Sequence, residues 1–378
     1  MLLPPARKGL LVAGVVASIM LLTACGAAET APRNAPGAPG APITSTTRIA
    51  NAGVLGNQRQ PDESCAPEPA PAESPDAPRR VRNAGGGLGT PPARGGEHSD
   101  PGKGFVAPDT ELRGDPQRIV ALSTDQLDAL CALGLQGRVV GTTVPQPSYL
   151  GTVLHDAPGF GRADAPDLGA IRSATPDLIL GSVARTPDSF TALSEIAPTV
   201  FTGGAPDWQD TLRAVAAATG RPNAADALLE GFERDAREAG ERTDATHFQA
   251  SVVQFTEDAM RVYGADNFPA SALRAVGVDR PAAQRFTDKP YIEVSTAELS
   301  EDTDLSAADG DIVYLSFATP EAKDKATAVL NSAAWRKLSA NRDDRVFAVN
   351  NEVWQTGQGV VAARGIIADL RWLNAPIN

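Results

Sequence analysis

From Arg118 onward, short apolar runs alternate with longer amphipathic stretches. Arg118–Leu122 (RIVAL), Arg138–Thr143 (RVVGTT), Asp177–Leu180 and the PTVF run ending at Phe201 are too short for helices and rich in β-branched residues, so they read as strands. Between them, Ser123-Thr124-Asp125 is a capping sequence that opens the helix DQLDALCALG. DLGAI begins a short helix that ends before Pro176, Ser189–Ile196 forms another, and Asp207–Thr219 is amphipathic. The alternation restarts with strands at Gln249–Phe255, Met260–Tyr263, Tyr291–Val294, Asp311–Ser316 and RVFAV. Helices are predicted at SALRAVGV, Pro320–Leu330, Ala333–Leu338 and the long closing stretch Gly359–Leu373. Strands separated by helices imply parallel pairing with helices on both faces of each sheet.

One segment divides the two repeats. In Pro222–Thr243, Ala225, Leu228, Leu229, Phe232 and Ala236 recur at the spacing of a single helical face, with Glu, Arg and Asp elsewhere. Asn223 is placed to cap it. The fold class expected is therefore α/β, with two α/β lobes, residues 115–221 and 247–378, joined by one long interlobe helix at 222–243. A continuous helix absorbs little φ/ψ change, so the cleft beside it should be largely preformed.

Before Asp115 the character changes. Arg7 and Lys8 precede the apolar run Gly9–Leu22, and Leu22-Thr23-Ala24-Cys25 follows it, as in a signal peptide (1–25) ending in a lipobox. Acylation of Cys25 would tether the exported protein to the outer face of the cytoplasmic membrane. Residues 26–107 are dominated by Ala, Pro and Gly, a composition that offsets little ordering entropy, so they read as a largely disordered tether. With Cys25 taken by lipid, Cys65 and Cys131 form an even pair in an oxidising compartment. They either bridge or remain a linker thiol and a buried helical thiol.

The balance of 34 Lys and Arg against 46 Asp and Glu, a net charge of −12, argues against nucleic acid as a partner. His98, His155 and His247 are too scattered for a His-rich metal centre. No Gly-x-Ser-x-Gly elbow, Cys/His pair or Gly-rich phosphate loop is present, so binding is favoured over catalysis. In open parallel sheets, ligands sit beyond the carboxyl ends of the strands. The loops there place Thr124, Tyr149, Arg185, Phe201, Trp208, Arg261, Tyr263, Arg285, Phe286 and Trp354 as candidate ligand contacts, against the ordinary reading of half-buried aromatics and solvated arginines. Aromatic faces with guanidinium groups suit a large anionic ligand.

In chain order, RIVALSTDQLDALCALGLQGRVVGTT, DLGAIRSATPDLILGS, MRVYGADNFPASALRAVGV, DIVYLSF and AAWRKLSANRDDRVFAVNNEVW resemble the successive segments of substrate-binding lipoproteins of iron–siderophore, haem and vitamin B12 importers, the class III periplasmic binding proteins. The likeness covers about residues 115–378 and is nearest to the mycobacterial-type FecB iron-uptake lipoproteins. It implies a monomer without covalent cofactor other than lipid, holding a ferric siderophore or haem between its lobes for an ABC permease. For haem, Tyr149, Tyr263, Met260 and His155 are the candidate iron ligands. Such proteins carry a docking glutamate on each lobe. Gly169 and Ala297 stand at those positions here, leaving the neighbouring Asp167 and Glu298 as substitutes. An envelope scaffold that keeps the fold but acts through protein partners is the alternative.

Overall fold

The computed structural model describes residues 48–56, 64–74, 77–84, 107–152, 154, 156–203, 208–297, 300 and 302–370. The signal peptide, Cys25, His155 and Glu298 lie outside the described residues. In chain order the elements are β1 (Arg48–Ile49), β2 (Ala52–Val54), β3 (Arg79–Val81), β4 (Thr110–Leu112), β5 (Ile119–Ala121), α1 (Thr124–Ala132), β6 (Val139–Thr142), β7 (Gly161–Arg162), β8 (Ala165–Pro166), α2 (Leu168–Ser173), β9 (Leu178–Ser182), α3 (Phe190–Ser194), β10 (Thr199–Thr202), α4 (Trp208–Thr219) and α5 (Pro222–Thr243). Then follow β11 (Ala250–Phe255), β12 (Ala259–Tyr263), α6 (Phe268–Val276), β13 (Tyr291–Ser295), β14 (Ile312–Phe317), α7 (Pro320–Leu330), α8 (Ala333–Arg336), α9 (Ser339–Arg342), β15 (Val346–Ala348), a π-helical turn (Glu352–Thr356) and α10 (Val360–Leu370).

The N-terminal lobe is an all-parallel sheet in the order β10-β9-β5-β6. Period-two alternation divides its side chains between two layers. Ile119, Ala121, Leu178, Leu180 and Val200 face α1 and α4, whereas Val120, Leu122, Ile179 and Phe201 face α2 and α3. The C-terminal lobe has the order β1-β2-β15-β14-β11-β12-β13. The alternating pattern predicts parallel pairing, but this sheet is mixed. The turn between β11 and β12 is too short for a crossover, so these strands pair antiparallel, and β13, returning after α6, pairs antiparallel with β12. Val253, Phe255, Val313 and Leu315 pack under α7–α9, while Ala250, Val252, Ile312 and Tyr314 point to the opposite layer.

That opposite layer is shared by both lobes. Buried residues of α1, α4, α5, α6 and α10 form one continuous apolar cluster with the inner faces of both sheets. Helix α5 begins and ends where its periodicity predicts, but it is a member of this layer rather than a bare spine. Ala225, Leu229, Phe232, Ala236 and Ala239 are buried, with the Trp208 and Phe232 rings edge to face at 5.1 Å. Asn223 is not its cap. Pro222 takes the first helical position, and the Asn223 amide instead donates to Glu73 at 2.8 Å.

Glu73 belongs to the stretch whose composition suggests a tether, and much of the described part of that stretch is built into the fold. Strand β2 pairs with β15 at the edge of the C-terminal sheet, and β3 pairs with β4. Cys65 and Cys131 form a disulfide with S–S 2.08 Å, fastening the segment to α1. Low hydrophobicity does not prevent ordering where backbone pairing, a covalent link and the buried side chains of Leu55 and Val81 act together.

Candidate functional site

The cleft between the lobes is a hollow of about 1160 Å³ at the carboxyl ends of the strands. The N-terminal wall consists of Thr124 at the start of α1, the loop Thr142–Pro147 after β6, the β7–β8 hairpin with Arg162 and Asp164, and Arg185 beyond β9. The C-terminal wall consists of Ala318 beyond β14 and Asn351, Glu352, Gln355, Thr356 and Gln358 around the π-helical turn, a rare geometry that recurs at functional sites.

The two cations of the cleft are not equivalent. Arg162 is held by Asp164, Nη2 to Oδ2 at 2.6 Å, so its charge is largely matched. Arg185 is exposed, and its charge acts on the buried Asp125 carboxyl, partly opposing the rise that burial causes there. Glu352 ties the walls together, accepting from the Ser148 amide at 2.7 Å and from the Ser148 hydroxyl. Two groups lack hydrogen-bond partners. Oε1 of Gln146 on one wall and Nε2 of Gln355 on the other are buried with no hydrogen bond among the described residues, a costly state for a polar atom.

Of the predicted contacts, the structure brings Thr124 and Arg185 into the cleft lining. Four of the aromatic candidates, Tyr149, Phe201, Trp208 and Trp354, are core residues. Phe201 is fully buried edge to face with Phe190, and Trp208 donates from Nε1 to Ser271 between Phe232 and Phe268. Trp354 stacks on Tyr314 and donates to Asp369 at 2.8 Å. The Tyr149 hydroxyl is directed to Asp128 at 2.9 Å and is buried. Met260 is buried beneath the C-terminal sheet. Arg285 is committed to Asp279, which bonds the start of β11, away from the cleft end of that strand; Phe286 packs on Gly264. Arg261 and Tyr263 sit one step behind the cleft. Arg261 pairs with Glu293 at 2.9 Å over the Tyr291 ring, and the Tyr263 hydroxyl donates to Gln254, whose Nε2 donates to Asn351 of the lining. Burial pushes the Tyr263 phenol up to about 12.

Sequence reasoning missed Arg162, Gln146, Asn351, Gln355 and Gln358. A signal existed in the amide-rich run after RVFAV, NNEVWQTGQG, where the eye goes to Trp354 although its polar neighbours face the cleft.

The sequence profile of the periplasmic binding protein family matches residues 119–353, and the chain belongs to that family, whose members are substrate-binding proteins rather than enzymes. A probable siderophore-binding lipoprotein of Bacillus subtilis, YfiY, is 28% identical over 267 residues, covering 68% of this chain and 82% of the relative. The achromobactin-binding periplasmic protein of Dickeya dadantii is 26% identical over 68% of this chain and 85% of its own length. Among solved structures, Staphylococcus aureus SirA complexed with staphyloferrin B superposes with a TM-score of 0.59 at 26% identity, covering 69% of this chain and 94% of that one. The family match starts at Ile119, so β1–β4 and Cys65 lie outside it.

Proposed function

We propose that this protein is an exported, monomeric solute-binding lipoprotein that holds a ferric siderophore in the interlobe cleft and presents it to an ABC permease. The observation that carries this is the chemistry of the lining: an exposed guanidinium at Arg185 with the amide side chains of Gln146 on one wall and Asn351, Gln355 and Gln358 on the other. Haem iron is held by an axial His, Met, Cys or Tyr ligand. Tyr149 and Tyr263 are engaged elsewhere and Met260 is in the core. Relatives named for siderophores support a cargo of iron that brings its own chelator, and His155, the remaining haem candidate, lies outside the described residues.

Lipid attachment at Cys25 follows from the targeting segment and is supported by a relative named as a lipoprotein. Among the described residues no helix is long and apolar enough to cross a membrane. Asp167 is the candidate permease contact on the N-terminal lobe. One of its oxygens caps α2 through the Gly169 and Ala170 amides, and the residue stays exposed. Glu298 is its counterpart in sequence on the other lobe.

Because Trp208, Trp335 and Trp354 are all buried, heat is a better readout than fluorescence quenching. Calorimetric titration with ferric staphyloferrin B, ferric achromobactin, ferric citrate and haemin tests the reading. Saturable binding of at least one ferric siderophore with Kd of about 1 μM or tighter is expected, and haemin should be silent. Haemin binding with every siderophore silent overturns it.

A further inference from the structure

Helix α10 starts directly after Gly359, which has no side chain to cap the orphan amides of its first turn. The cap comes from the other lobe. Asp128 of α1 accepts from the Val361 amide at 2.9 Å through Oδ1, and from the Ala362 amide at 3.0 Å and the Tyr149 hydroxyl at 2.9 Å through Oδ2. The carboxylate has no solvent exposure. Gly359 is required by this contact, since a Cβ there would lie 2.3 Å from Cγ of Asp128. The Tyr149 hydroxyl also lies 3.2 Å from the Gly357 carbonyl. Both ends of the π-helical cleft wall are thus anchored to the N-terminal lobe, Glu352 through Ser148 and Gly357–Ala362 through Tyr149 and Asp128.

We propose that Asp128 is the positioning residue for the C-terminal wall of the cleft, a role that rests on the cleft being the ligand site. Ionised Asp128 accepts all three donors. A proton on Oδ2 turns that oxygen into a donor toward Tyr149, which then donates to Gly357, and the Ala362 amide loses most of its acceptor. The ionisable groups around it are Tyr149 from the 148–150 turn, Asp125 one turn earlier on α1, and Glu352 beyond Tyr149. Those of α10 face elsewhere, Arg364 toward Gly231 of α5 and Asp369 toward Trp354. Burial raises the Asp128 carboxyl to about 7.

The test compares the full chain with Asp128→Asn, neutral at every pH, and with Gly359→Ala. At about pH 8, where Asp128 is ionised, amide exchange of the ligand-free wild type should show Val361 and Ala362 about ten-fold better protected than in Asp128→Asn, with the later amides of α10 alike in both, the worth of a charge-assisted hydrogen bond. With whichever of ferric achromobactin or ferric staphyloferrin B binds, Asp128→Asn should raise Kd about ten-fold, and Gly359→Ala should weaken binding as well. A Kd unchanged by both substitutions, or equal protection of the two amides in wild type and Asp128→Asn, overturns the proposal. The exchange arm needs no ligand, so its result stands even if neither chelate binds.

Discussion

On its helical side the junction between the lobes is apolar and closed: α1, α4, α5, α6 and α10 share one buried cluster, interrupted by the Asp128 carboxylate and its partners. On its other side the same junction is open and polar, with exposed Arg185, the amides of Gln146 and Gln355 and a bridge through Glu352. The difference separates two tasks. Burial on the helical side sets how the lobes stand, so that the loops on the other side are free to carry polar groups. Changes to the helical layer should therefore alter stability before specificity, and changes to the cleft should do the reverse.

The largest effect expected is from Phe232→Ala in α5, which removes a buried ring packed against Trp208 and should cost about 3–5 kcal/mol in urea unfolding. The protein that stays folded should bind ligand with unchanged affinity; a large loss of affinity at full folding would break the division. Replacing Cys65 and Cys131 by Ser opens a loop with a sequence separation of 66 and should lower stability by about 2–4 kcal/mol, again sparing the cleft.

The pH response of stability sharpens the comparison further. Asp128 titrates at about 7 in the fold against 3.8 unfolded, so between those values the folded chain holds a proton that the unfolded chain lacks. Its contribution is greatest below the unfolded value and falls as pH rises toward about 7. At Asp115 partial burial alone would raise the carboxyl, but hydrogen bonds from Arg221 and Arg138 hold it at about 2, so its contribution is present above 3.8 and lost as pH falls through about 2. Denaturation midpoints across this range should lose the first limb in Asp128→Asn and keep the second. In the cleft, Arg185→Gln should leave unfolding unchanged and weaken a ferric siderophore about ten-fold, the worth of one charged hydrogen bond. Smallest is Asp167→Ala, where loss of the α2 cap should cost about 1 kcal/mol without touching ligand affinity.

The fold was legible where local rules and tertiary context agree. Pro222–Thr243 has Pro at its first position and one apolar face, and it forms the helix its pattern describes. Strands such as Ile119–Ala121 were visible because burial on both faces makes them uninterrupted apolar runs. Residues 48–84 were not, because strands as short as Ala52–Val54 carry no periodicity and their stability comes from partners far along the chain. In the cleft, Arg185 and Thr124 line the hollow where the loop-end rule points. Phe201, Trp208 and Trp354 obey the same rule and yet are core, since strand ends are also where large side chains close the sheet layers. The side a residue faces in a π-helical turn follows no 3.6 period, so Gln355 could not be told from Trp354 by spacing.

Hydrogen–deuterium exchange with and without a saturating ferric siderophore tests the central claim most directly, because it reads both sides of the junction at once. New protection should be confined to the loops around 142–147, 159–164 and 185 and to 351–358, with the amides of α4, α5 and α6 unchanged. Protection that appears in the helical layer, or on the outer faces of the lobes with the cleft loops unaffected, would contradict it.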